Sequence, residues 1–258
     1  MATLNINLAD FQLFLLIFVR VGAIMMSMPL LGGKNVPFLF KAGLAISVSI
    51  ILFPILELDA FAYFSKPIPF AIGVTSEIML GVIIGLSVNI IFAGFQLAGQ
   101  LVGYQMGFAI ANVMDPQTGM QSSIFAGFIN IVALLLFLAF NAHHWFLRSL
   151  TDSFNLVPIF DFQMTGSLAE HLILIGSNMF IIAVKVAAPV MAALLLTSVA
   201  LGIIARTVPK MNIFLVGMPL KIALGIMFVC FSLPYLSTFL RNIFNELGNS
   251  IHLLLITI

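Results

Sequence analysis

Of the 258 residues, 62% are hydrophobic and only 7% are charged, against about 45–50% and about 25% in soluble domains, so the chain reads as an integral membrane protein. Its net charge of +1, with no cluster of Lys and Arg, excludes the phosphate-neutralising surface that nucleic-acid binding requires. Cys230 is the sole cysteine, which excludes an intrachain disulfide and a cysteine-rich metal site.

The N-terminus, MATLNINLADFQ, lacks the basic n-region and small-residue cleavage site of a secretory signal and is expected to be retained. A helix crossing the hydrocarbon layer needs roughly 20 apolar residues. Phe11 to Leu31 meets that length, with Arg20 inside it. Ala42 to Leu56 is short and contains Pro54, which predicts a short or re-entrant helix. Ile68 to Ile110, with Glu77 near its start, is long enough for two helical pieces. Ile124 to Phe140 is a clean single span. Leu172 to Ala205 exceeds one span and carries Lys185 and Pro189, predicting a long, kinked or tilted helix. Ile213 to Phe239 holds Lys221, Pro219 and Pro234, and the tail IHLLLITI is too short to cross alone. The expectation is an all-α membrane protein with about six hydrophobic segments. Several are irregular, and their freed backbone groups need neighbouring helices or a cavity. Lys34 and Lys41 after the first segment, and Arg206 and Lys210 after the fifth, fall on one side if six spans exist; positive-inside bias makes that side cytoplasmic and puts the N-terminus outside.

Gly99, Gly103 and Gly107 recur every four residues and form a ridge without side chains on which another backbone can approach closely, within the chain or between subunits. Gly81 and Gly85 form a second small-residue pair, read as intrachain packing. Arg20, Glu77, Lys185 and Lys221 are ionisable groups inside apolar runs, each costing at least about 2.5–3.5 kcal/mol at a bilayer centre unless it faces a partner or wet cavity. Interhelical ion pairing, for example Glu77 with Lys185, is the reading favoured over a proton relay. The surplus of cations points to acidic groups on other subunits. His143 and His144 are adjacent and diverge by about 100° on a helix, so they cannot jointly grip a metal as an i, i+4 pair can. They are read as polar interface residues. No nucleophile–base arrangement, phosphate loop or zinc spacing is visible, and neither catalysis, a cofactor nor a metal is expected.

Between two membrane-grade segments lies ANVMDPQTGMQSS, Ala111 to Ser123, with one charge, Asp115. Met114 and Met120 are flexible, polarizable groups that can seal against irregular surfaces. Gln117, Thr118 and Gln121 offer uncharged hydrogen bonds, and Pro116 and Gly119 favour a turn. Either an ordinary exposed turn or a movable filling of a wet passage fits this composition.

The run LGIIARTVPKMNIFLVGMPLKIALG, Leu201 to Gly225, resembles the signature of the FliR/SctT family of type III export-gate subunits. EIMLGVIIGLSVN from Glu77, AGQLVGYQMGFAIANVMDP from Ala98 and FNAHHWFLRSLTDSF from Phe140 agree with it, so the likeness covers nearly the whole chain. Its most specific element is the spacing of Arg206, Pro209, Asn212 and Phe214 followed by Pro219 and Lys221; Lys210 stands where many members carry Gln. The resemblance implies helical hairpins joined with FliP and FliQ in a closed helical assembly. It implies an N-terminal part resembling FliP (1–170) and a C-terminal part resembling FliQ (171–258). It further implies that the loop matching residues 106–123 plugs a conduit for unfolded flagellar proteins, with Met106, Met114 and Met120 sealing it. Arg206, Pro209 and Lys210 would sit at a cytoplasmic hairpin tip facing FlhB, with FlhA a further partner, in the cytoplasmic membrane at the flagellar basal body. A virulence injectisome subunit would share that design. An ion-coupled transporter using Glu77 and Lys185 would need an inverted repeat, and the two halves show no matching broken helices.

Overall fold

A computed structural model describes residues 8–33, 36–56, 67–108, 124–208 and 212–258. All regular structure among them is helical. In chain order the helices are α1 (Leu8–Ser27), α2 (Pro29–Gly32), α3 (Phe38–Leu52), α4 (Pro67–Met106), α5 (Ile124–Ala139), α6 (Ala142–Leu156), α7 (Gly166–Thr207) and α8 (Ile213–Ile256).

Each expected apolar segment is helical, but the helices differ in length from the expectation. Ile68 to Ile110 does not break into two pieces: α4 is one helix of 40 residues. Its buried positions, Leu80, Ile84, Val88, Phe95, Val102 and Met106, follow the helical period without a phase break, so nothing along it favours an interruption. The tail is not a separate short element either. α8 runs for 44 residues through Pro219 and Pro234 and takes the apolar tail with it. α7 spans 42 residues with Pro189 inside. Four helices among the described residues are long and apolar enough to cross a membrane, or five if α5 and α6 are counted as one broken span. The span expected from Ile124 to Phe140 is helical over Ile124–Ala139, and it ends before Asn141, whose φ of 55° is left-handed, a conformation asparagine adopts more readily than most residues.

The described helices divide into two compact units: residues 1–90, 142–174 and 246–258, and residues 91–141 and 175–245. In the first, α1 packs on α3, with Phe14 and Phe53 edge to face at 6.1 Å. Its core combines Leu16, Ile17 and Ile24 with Leu80, Ile84, Phe146 and Phe154. The C-terminal end of α8 joins it: Ile251, Leu254 and Leu255 are buried, and Gly248 lies so close to Trp145 that an added Cβ would come within 2.9 Å of the indole. The second unit centres on four phenylalanines, Phe92, Phe95, Phe137 and Phe244, each buried. Phe137 stands edge-on to Phe244 at 5.2 Å and to Phe92 at 5.6 Å. Such edge-to-face pairs contribute about 0.5–1.5 kcal/mol each beyond burial. In lipid, where apolar transfer between helices gains little, this kind of packing holds helices together.

Candidate functional site

The first unit is organised around a buried charge cluster. Glu77, Gly81 and Gly85 fall at i, i+4 and i+8 of α4, one stripe facing α1. A Cβ on Gly81 would meet the Ala23 Cβ at 2.6 Å and the Arg20 carbonyl at 3.0 Å, and one on Gly85 would collide with Ser27. The bare backbone of α4 therefore lies against α1, within reach of a carboxylate from one side and a guanidinium from the other. Arg20 and Glu77, 0% and 1% exposed, form an ion pair in which Arg20 Nε donates to Glu77 Oε2. Arg20 Nη1 donates to the carbonyls of Ser153 and Val157, both at 2.9 Å, and the guanidinium lies 4.3 Å from the centroid of the Phe154 ring. Those carbonyls belong to the C-terminal end of α6, where unpaired acceptors and the negative end of the helix dipole favour a cation. Arginine suits the position because its planar fork serves a carboxylate, two carbonyls and a ring face together. Arg20 Nη2 and Glu77 Oε1 are buried without a hydrogen-bond partner.

Glu77 therefore pairs with Arg20, and the sequence example of Glu77 with Lys185 is corrected: the glycine stripe that seats α4 on α1 selects the partner. The transporter reading loses the two-residue site on which it rested.

In the second unit, the row of glycines divides by role. A Cβ on Gly99 would come 2.5 Å from Ala126 Cα and 2.7 Å from the Phe125 carbonyl, so α4 touches the start of α5 backbone to backbone. Gly103 is buried. Gly107 lies beyond the helix with a φ of 95°. The Gly107 amide donates to the Tyr104 carbonyl and the Phe108 amide to the Gly103 carbonyl, each at 3.1 Å. This pair of bonds is the Schellman motif that ends a helix sharply and suits glycine at the left-handed position. Met106, the last residue of α4, is fully buried, and its side chain fills the space over Gly225 that a Cβ would need. Met114, Asp115, Pro116, Gln117, Thr118, Gly119, Met120 and Gln121 lie outside the described residues, as do Pro209 and Lys210.

Arg206 is exposed in the last turn of α7, where a cation complements the helix dipole. Asn212 caps α8, its Oδ1 accepting from the Leu215 amide at 3.4 Å. Lys185 is exposed, with Nζ 5.8 Å from the Phe239 ring centroid. Lys221 is half-buried. Neither lysine has a carboxylate partner among the described residues. The rings of His143 and His144 meet edge to face at 4.3 Å, and no group of three or more His, Cys, Asp or Glu among the described residues is placed to hold a metal.

Sequence reading missed the α6 carbonyls and Phe154, which lie 133 residues and more from Arg20 and give no sequence signal. It could have found Arg20 as the partner of Glu77. The small residues Ala23 and Ser27 on α1 continue from Arg20 at helical spacing just as Gly81 and Gly85 continue from Glu77.

All-helical among the described residues, with four or five apolar spans and a buried Arg20–Glu77 ion pair, this is an integral membrane protein. The family model of the bacterial export proteins, family 1, matches residues 11–247. The Flagellar biosynthetic protein FliR of Bacillus subtilis (strain 168) is 38% identical over 244 residues, covering 91% of each chain. The proteins of the same name from Pectobacterium carotovorum subsp. carotovorum and Escherichia coli (strain K12) are 34% and 31% identical, each covering 89% of this chain and 87% of their own. The chain belongs to the bacterial export proteins, family 1.

Proposed function

We propose that this chain is a subunit of the flagellar type III export gate in the bacterial cytoplasmic membrane. In this reading it assembles with FliP and FliQ, meets FlhB and FlhA, and forms part of the conduit for unfolded flagellar proteins. The observation that carries the reading is a mismatch of lengths. At 1.5 Å per residue, the helices of 40, 42 and 44 residues are about 60–66 Å long. The hydrocarbon layer is about 30 Å thick, and a tilt of about 40° lengthens the path through it only to about 39 Å. Leu172 to Ala205, uncharged but for Lys185, would alone extend about 50 Å. Leu195, Leu196, Val199 and Ile203 on α7, and Leu215 and Phe231 on α8, are exposed. Lipid cannot cover apolar faces of that length, so other protein subunits must. Family membership and the names of the relatives support reading those subunits as export components, and as flagellar ones in preference to those of an injectisome.

Residues 1–170 are the FliP-like part and 171–258 the FliQ-like part. Within the first, residues 106–123 form the plug. Met106, packed against Gly225, anchors its base, and the Schellman stop at Gly107 lets the chain leave α4 abruptly. Met114 and Met120 seal, while the uncharged amides and hydroxyls between them wet the passage without holding cargo. Gating is passive, with energy supplied elsewhere in the machine. Arg206, Pro209 and Lys210 form the tip that faces FlhB.

Co-expression with FliP and FliQ, followed by mild extraction and native mass measurement, is expected to yield one discrete hetero-oligomer. A stable particle of this chain alone, indifferent to both, would sink the reading. Within an assembled gate, deletion of Asp115 to Gln121 is expected to raise small-ion conductance. Unchanged conductance would remove the plug assignment and leave the scaffold role.

A further inference from the structure

On the second unit, α7 and α8 enclose a groove of about 290 Å³ lined by Lys185, Pro189, Phe228, Phe231, Ser232 and Tyr235. That is about the lower bound for small-molecule pockets, and room enough for one or two side chains. Apart from the Ser232 hydroxyl, which donates to the Val229 carbonyl at 2.8 Å, and the Tyr235 hydroxyl, the groove is polar at two points. One is the Lys185 ammonium, which lies 5.8 Å from the centroid of the Phe239 ring. The other is the Lys185 carbonyl: Pro189 lies four residues on and has no N–H to donate to it. A cation and a backbone acceptor thus sit together in a wall that is otherwise hydrocarbon and aromatic surface with two hydroxyls, those of Ser232 and Tyr235.

We propose that this groove is the docking site for an apolar helix of a different subunit that carries an unpaired Asp or Glu, whose carboxylate meets Lys185. The inference rests on the export-gate reading, because it requires neighbouring subunits. Charge complementarity selects the partner. An unpaired lysine in an apolar helix is costly unless an opposite charge meets it, and no carboxylate among the described residues does so. A second copy of this chain fits less well, since Glu77, the carboxylate inside its apolar runs, is already committed to Arg20, and Asp10, Glu170 and Glu246 stand outside those runs. A lipid headgroup fits less well than a protein carboxylate. From Lys185 the apolar run continues about 20 Å toward Leu172 and about 30 Å toward Ala205, both beyond what a lysine stem can cover by snorkelling. The exposed neighbours Phe180, Ile181 and Val184 present a rim that suits an apolar helix.

The test uses the complex with FliP and FliQ. Zero-length carbodiimide coupling joins an ammonium to a carboxylate only where the two touch. Peptide mass spectrometry should then recover the Lys185 peptide joined through Asp or Glu to a peptide of another subunit, and the product should vanish in Lys185→Gln. The same variant should lower the yield of assembled complex about tenfold or more, because it leaves the partner carboxylate buried and unpaired. Full assembly of Lys185→Gln, with couplings recovered elsewhere but none at Lys185 in the wild type, would overturn the inference and leave the export-gate reading standing. A variant that keeps every subunit but loses bound phospholipid in native mass spectra would assign the groove to lipid and overturn it as well. If the wild-type chain fails to assemble with FliP and FliQ at all, both readings fall together.

Discussion

Arg20→Met should destabilise the protein by about 3–5 kcal/mol, the usual cost of breaking a buried ion pair by removing one partner. Three groups lose their counterpart at once: the Glu77 carboxylate and the carbonyls of Ser153 and Val157. The ring of Phe154 loses its cation. Glu77→Gln should cost less than Arg20→Met, since an amide oxygen still accepts from Nε and the α6 contacts survive. The double change Arg20→Met with Glu77→Leu should recover part of the loss by removing the stranded carboxylate, but not all of it, because the carbonyls of Ser153 and Val157 still lack the guanidinium. Arg20→Lys should rescue poorly, since an ammonium cannot serve all three directions. Thermal or denaturant unfolding of the purified chain in one detergent checks the series. A cost below about 1 kcal/mol for Arg20→Met, the range of exposed pairs, would mean that the cluster does not hold α1, α4 and α6 together.

Gly99→Ala should also be harmful, by about 1–3 kcal/mol, as expected for overpacking a closely fitted contact. The new methyl would lie 2.5 Å from Ala126 Cα, a backbone atom that cannot rotate away, so α5 itself must move. Gly127→Ala is the matched control. It is in α5 next to Ala126, and its added Cβ meets nothing within 4 Å, so the isolated chain should gain up to about 1 kcal/mol of helix propensity. Comparing the two by unfolding separates loss of close approach from a general effect of replacing glycine. Equal stability of both variants would contradict the backbone contact. In the assembled complex, a defect in Gly127→Ala absent from the isolated chain would identify that open glycine as a subunit contact.

Several features were legible because they depend on neighbouring residues alone. The apolar segments, the break near Pro54, the unusual length of Leu172 to Ala205 and the close approach of α4 along Gly81 and Gly85 follow from hydropathy, proline and helical spacing. Others were not. Pro219 and Pro234 lie in a segment counted among the irregular ones, yet α8 continues through both, because packing and proline tolerance depend on neighbouring helices. The tail IHLLLITI is too short to cross alone, but its helix is continuous with α8 and three of its residues are buried in the first unit. Gly107 shares a spacing with Gly99 and Gly103, but only the end of α4 makes it a terminator with positive φ.

By itself, then, the sequence determined that this is an all-helical membrane protein whose intramembrane charges require partners, since composition and period act locally and survive any arrangement of the helices. Which partner each charge takes was decided by the tertiary structure. Arg20 lies 57 residues from Glu77 and 133 from Ser153, and only the seating of a glycine-lined α4 on α1, with the end of α6 beside them, brings those groups within hydrogen-bond reach. Lys185 has no carboxylate partner among the described residues, and the carboxylate that hydropathy would have offered it, Glu77, is bound to arginine.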